Sequence, residues 1–231
     1  PYTAAGDVRL NKPILSYWVT ACSYEVLGIH PLSSRLPFLL AGGALIAVSV
    51  CLARRLGLAE REQFLLALIL ATNPSVLISA PRSIPDIFLG LALTLGTLGF
   101  VGLMRRASRV EDLLLAYGGV TLAILAKGLP GLVFGVYAFG FLAAHPEVRG
   151  RQRWTHHAIA LALGGLLAGS SFAAMWLRHG NYLFEAFFHD QVQARLARST
   201  VQGVRQLAAI FGLLALSFSP WLLALLRSHG V

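Results

Sequence analysis

Residues 36–53 read LPFLLAGGALIAVSVCLA, eighteen positions without Asp, Glu, Lys or Arg, and Arg54-Arg55 follows at once. A helix of about 17–25 apolar residues spans the hydrocarbon core of a bilayer. An ionised side chain near the centre of such a helix costs about 2.5–3.5 kcal/mol on insertion scales. A run that excludes charge and stops on an arginine pair therefore reads as a membrane span ending at the headgroups. Its Leu, Ala and Gly show no period-two alternation, which argues against a transmembrane barrel. A helix also satisfies its own backbone hydrogen bonds, as lipid requires.

Six more charge-free runs follow, at 63–81, 87–104, 113–126, 128–146, 158–177 and 206–226. Only the run 113–126 is short, and it reaches a spanning length by extending to Val110 if Glu111 and Asp112 sit among headgroups. The expected fold is all-α, a polytopic membrane protein of about seven transmembrane helices. Composition agrees, for the 231 residues are 56% hydrophobic and 13% charged, where a soluble domain carries about 25% charged residues. Residues 14–29, ILSYWVTACSYEVLGI, are apolar but short and carry Glu25. With Tyr17, Trp18 and Tyr24 they suit an amphipathic juxtamembrane helix lying on the outer surface; a first span entering from outside is the alternative. The expected organisation is an extracytoplasmic segment 1–35 and a multi-span region 36–231.

The net charge of +9 would suggest nucleic acid in a soluble protein. Here the positive residues stand in short clusters between apolar runs, so no nucleic-acid partner is expected and membrane lipids are. Seven spans put the connections 54–62, 105–112 and 147–157 and the tail 227–231 on one side. These hold 10 of the 19 Lys and Arg residues in 33 positions, against 9 in 69 on the other side. The denser side is expected to be cytoplasmic. Cys22 and Cys51 form no CxxC motif and read as small apolar fillers. The chain opens on Pro1 with no signal-peptide pattern, and is expected to lack residues upstream.

The opposite side carries isolated polar residues beside Pro and Gly, which interrupt helices and leave backbone groups in need of partners. Lys12, in LNKPILSYW, is a compact charge suited to phosphate, or a snorkelling interfacial lysine. Asp86, in APRSIPDIFLG, is an N-capping residue favoured by the dipole, or a base or a metal ligand. Arg82, four residues earlier, can pair with Asp86 or hold an anion. Lys127, in LAKGLPGLV, lies between two spans, where an ionisable residue is a functional hypothesis or a turn marker. His189, Asp190 and Arg195 fall in NYLFEAFFHDQVQARLAR; one His and one Asp are weak as metal ligands, and no metal site is assigned.

Taken together, LNKPILSYWVTA, LALILATNPSVLISAPRSIPDIFL, LAILAKGLPGLV, FFHDQVQARL and SFSPWLLALL give a chain that resembles GT-C membrane glycosyltransferases, in the group of the lipid A aminoarabinose transferases and protein O-mannosyltransferases. The resemblance implies a polyprenyl-phosphate-linked sugar as donor and a lipid, protein or glycan acceptor, with transfer outside the cytoplasm of a bacterial inner membrane. It matches Lys12 to the lysine of a Lys-Pro motif that holds the donor phosphate, Asp86 to an acidic residue near the active site, Lys127 to the lysine of a Thr-Lys-Gly pattern, and Arg195 to the arginine of an acidic-His-x-x-x-Arg-aromatic pattern. In that last stretch Asp190-Gln191 and Leu196 depart from the pattern. The group's Asp-Glu motif, its first span and its C-terminal part are not in the sequence, so the chain is expected to be a fragment, inactive alone. No nucleotide cofactor is expected; a divalent metal is left open. Lys12, Arg82, Asp86, Lys127 and Arg195 are expected to converge on one cavity. A transporter or lipid flippase is the alternative, and a non-catalytic scaffold a third reading. Transporters place ionisable groups near the midplane, whereas these polar residues gather at one rim.

Overall fold

The computed structural model describes residues 13–106, 109–181 and 200–228. Every regular element among them is a helix: α1 (Leu15–Leu27), α2 (Pro31–Leu56), α3 (Glu60–Thr72), α4 (Pro74–Ser79), α5 (Asp86–Arg105), α6 (Val110–Lys127), α7 (Leu129–Ala144), α8 (Pro146–Arg149), α9 (Trp154–His179) and α10 (Thr200–Ser228). Three of them, α2, α5 and α9, are long and apolar enough to cross a membrane by length and composition.

Local chemistry sets several of the boundaries. The juxtamembrane helix expected over 14–29 is α1. Gly28 ends it at φ 79°, a value glycine adopts without penalty. His30 then caps α2, its Nδ1 accepting from the Ser33 backbone NH at 3.3 Å, with Pro31 at the first helical position. The helix thus starts five residues before the charge-free run, because His30 supplies a cap that a hydropathy reading overlooks. Gly57, at φ 92°, stops it just after the arginine pair.

The run 63–81 forms two helices rather than a single long one. Pro74 has no NH to continue α3. Asn73 ends α3 and caps α4, accepting from the Ser75 NH at 2.9 Å.

The centre of the molecule is the hairpin of α5 and α6, with α2 against α5, and α7 and α9 against α6. A buried cluster of Phe100, Leu103, Leu113, Ala116, Tyr117, Val120 and Leu142 holds it together. A smaller cluster of Phe38, Ala41 and Ile87 joins the starts of α2 and α5. Small residues let the helices approach, for a Cβ on Gly99 would strike the Ala116 backbone and one on Gly119 the Gly96 backbone. Small residues are enriched at helix contacts in membranes for this reason. Leu132, Val136, Tyr137, Leu163 and Leu166 are exposed, an apolar periphery suited to lipid.

The run 113–126 extends to Val110, as expected if Glu111 and Asp112 sit among headgroups, and Asp112 is packed inside the protein there. Asp112 is buried at 2% exposure, with Arg55 Nη1 2.6 Å from its Oδ1. The same guanidinium donates to the Leu98 carbonyl at 2.7 Å. Gly102 leaves room for the carboxylate; a Cβ on Gly102 would collide with Asp112 and Arg55.

Candidate functional site

The helix contacts give the molecule two chemically distinct ends. Arg55 at the end of α2 and Arg105 at the end of α5 lie together, since Arg105 donates to the Arg55 and Leu56 carbonyls. Gln152, before α9, reaches the same end by donating to the Leu103 carbonyl at 2.8 Å. At the opposite end lie the starts of α2 and α5, the end of α6 and the helix α1.

At that opposite end Lys127 Nζ donates to Asp86 Oδ1 at 2.6 Å. Asp86 is the first residue of α5, so its charge faces the positive end of the helix dipole. Lys127 is the last residue of α6, where a cation is favoured, and Gly128 at φ 68° turns the chain into α7. Both side chains are partly exposed, 54% for Asp86 and 34% for Lys127. An ion pair so open to solvent contributes little to stability, about 0–1 kcal/mol, and its groups stay accessible to a ligand.

Pro85 precedes Asp86 and borders a cavity of about 570 Å³ between α1, α2 and the connection from α4 to α5. Ser16, Tyr17, Thr20 and Tyr24 of α1 line one wall, with Ser34 and Ser83 on the facing side. Ser83 has φ 56°, a left-handed conformation that costs a residue other than glycine about 1–3 kcal/mol. Its hydroxyl donates to the Ser34 carbonyl at 3.1 Å, tying this turn to the start of α2.

The structure therefore brings Asp86 and Lys127 into contact. Arg82 lies in the same turn as Ser83, is exposed, and has no hydrogen-bond or ion-pair partner among the described residues. Lys12 and Arg195, with His189 and Asp190, lie outside the described residues. Asp86, Lys127 and Arg82 are not among the residues that line the cavity, which Asp86 adjoins through Pro85. Among the described residues no group of three His, Cys, Asp or Glu is placed to hold a metal.

The hydroxyl wall escaped the sequence reading, which saw α1 as an interfacial aromatic helix. Ser16, Thr20 and Tyr24 recur at i, i+4 and i+8, one face of a helix, and that spacing was the available signal. Chemically, a carboxylate can accept a proton from a hydroxyl, and an ammonium can offset a phosphate.

Long apolar helices, an apolar periphery and polar groups gathered at the helix ends define an all-helical integral membrane protein. A family profile described as dolichyl-phosphate-mannose-protein mannosyltransferase matches residues 11–176, and the chain belongs to that family. Its fold is that of ArnT from Cupriavidus metallidurans, solved in the apo state, with a TM-score of 0.61 at 23% identity over 76% of this chain and 34% of that one. An uncharacterized protein of Aquifex aeolicus (strain VF5) is 27% identical over 191 residues, 81% of this chain and 37% of the relative. The chain thus spans about a third of the length of these proteins.

Proposed function

We propose that this chain is part of a glycosyltransferase that moves a sugar from a polyprenyl phosphate to a lipid, protein or glycan acceptor at the outer face of a bacterial inner membrane. The observation that carries the reading is the exposed Asp86–Lys127 pair beside a largely apolar cavity bordered by Ser, Thr and Tyr residues, at the end of the helices opposite the arginines. Family membership supports the class of chemistry.

In this reading the acceptor hydroxyl attacks the sugar carbon attached to the donor phosphate. The bond from that carbon to the phosphate oxygen breaks, and polyprenyl phosphate leaves with the electron pair. Asp86 takes the hydroxyl proton. Lys127, released from Asp86 when the donor binds, offsets the charge on the departing phosphate. Arg82 and, from the part of the chain outside the described residues, Lys12 and Arg195 add positive charge for the same group. The remaining helices complete seven spans, with the arginine end in the cytoplasm.

Donor binding to the complete protein tests the assignment of the cations. Lys127→Ala and Lys12→Ala should each weaken affinity for a polyprenyl-phosphate sugar by about 1.5–3 kcal/mol, the value of a hydrogen bond to a charged group. Unchanged affinity in both variants would remove the phosphate from this end of the protein.

Orientation is tested separately by an impermeant maleimide added outside the cell. In a background where Cys22 and Cys51 are replaced by serine, it should label Ile29→Cys, whose parent residue is 86% exposed, and spare Arg109→Cys. The reverse pattern would put the pair on the wrong side.

A further inference from the structure

A second cavity, of about 580 Å³, opens at the arginine end. Cys51, Arg54 and Arg55 of α2 form one wall, and Leu98, Gly102 and Arg105 of α5, with Arg106, form the other. Of the four arginines on its walls, Arg55 alone pairs with a carboxylate, that of Asp112 at 2.6 Å. Four positive charges against one negative leave a surplus of three.

Part of this charge has a structural use. Arg55 is committed to Asp112 and the Leu98 carbonyl, and Arg105 to the last carbonyls of α2. Arg54 and Arg106 are different. Both are exposed. Arg54 makes only a long contact to Gln63 Oε1, 3.4 Å from its Nε, and Arg106 has no side-chain partner among the described residues. Among the described residues neither forms an ion pair with an acid, and no Glu or Asp is among the residues that line the cavity.

The cavity also has a direction. Cys51 lies one helical turn before Arg54, and Leu98 lies seven residues before Arg105, about 10 Å along the axis. Leu98 is buried and its carbonyl takes the Arg55 guanidinium, so the apolar end of the groove is the exposed Cys51 side and the cationic end holds Arg54 and Arg106. A free inorganic anion has no use for the apolar end. An amphiphile with a phosphate head and an acyl chain fits both.

We infer that the groove between the ends of α2 and α5 binds one anionic phospholipid, with its phosphate between Arg54 and Arg106 and its first acyl carbons over the exposed Cys51 side. This site is at the opposite end of the helices from Asp86 and does not depend on the glycosyltransferase reading. Occupancy would screen the repulsion among four closely placed guanidiniums.

The complete protein in mild detergent, titrated with phosphatidylglycerol or phosphatidylcholine and observed by native mass spectrometry, tests the inference. Wild type should retain phosphatidylglycerol in preference to phosphatidylcholine. Arg54→Gln with Arg106→Gln should weaken retention about fivefold for each arginine removed, and the paired Arg→Lys changes should preserve most of it. Inorganic phosphate in large excess should leave the bound lipid in place. Equal retention of both lipids, indifference to the glutamine changes, or displacement by inorganic phosphate would each overturn the inference. If the glutamine variant fails to fold, wild type decides the matter in high salt. The preference for the anionic lipid should then decline as the open cavity is screened, and a preference insensitive to salt would count against the site.

Discussion

Asp112 lies buried beside Arg55, and its Oδ2 has no hydrogen-bond partner among the described residues. Asp86 and Lys127 make a contact of the same length, 2.6 Å, in the open. Environment separates the two pairs. Removing one partner of a buried pair strands the other charge and costs about 3–5 kcal/mol, whereas breaking an exposed pair costs about 0–1 kcal/mol. Arg55→Met should therefore lower thermal stability sharply in detergent, and adding Asp112→Leu should restore much of it. Lys127→Met should barely move the transition. Equal shifts for Arg55→Met and Lys127→Met would show that the burial assigned to Asp112 is wrong.

The exposed pair was partly legible from the sequence, because Pro85-Asp86 and Lys127-Gly128 mark a helix start and a helix end. That the two would meet was not, since residues 41 positions apart are joined only by the α5–α6 hairpin. The burial of Asp112 was not legible, because charge alone suggests water. The glycine that accommodates it is on another helix.

Among the elements, the contact of α5 with α6 depends on absent side chains. Gly96, Gly99 and Gly102 recur every third residue of α5, and the first two face Gly119 and Ala116 closely. That spacing was visible in LGTLGFVG, yet glycine carries no hydropathy signal and so disappears from a search for spans. Gly99→Val should separate the helices or strain them, at a cost of about 1–3 kcal/mol. Gly118 has no atom within 4 Å of a Cβ built on it, so Gly118→Ala should be tolerated and serves as the control. Melting temperatures of the two variants check this, and a Gly99→Val protein as stable as Gly118→Ala would dismiss the seam. Six of the seven apolar runs became single helices with ends close to the expected ones. The run 63–81 did not, because Asn73-Pro74 offers a cap and removes a donor in its middle.

At the scale of the whole molecule, charge is sorted along the helix axes. The arginines of α2 and α5 meet at one end, where they cap carbonyls and hold Asp112. The other end keeps a carboxylate and an ammonium accessible beside a largely apolar cavity bordered by Ser, Thr and Tyr residues. The grouping of basic clusters was legible because it follows from counting spans. The cavity was not, because it needs α1 to lie over the starts of α2 and α5, a docking that periodicity does not encode.

The central claim is that Asp86 acts on an acceptor hydroxyl at this end. The direct measurement is sugar transfer from a polyprenyl-phosphate donor by the complete protein carrying Asp86→Asn, with donor affinity measured on the same preparation. Asparagine keeps the size of the side chain and cannot take the proton. Turnover should fall about 10²–10⁴-fold, the usual contribution of a positioned general base, while donor affinity and melting temperature stay near wild type. Transfer at the wild-type rate by Asp86→Asn would contradict the account.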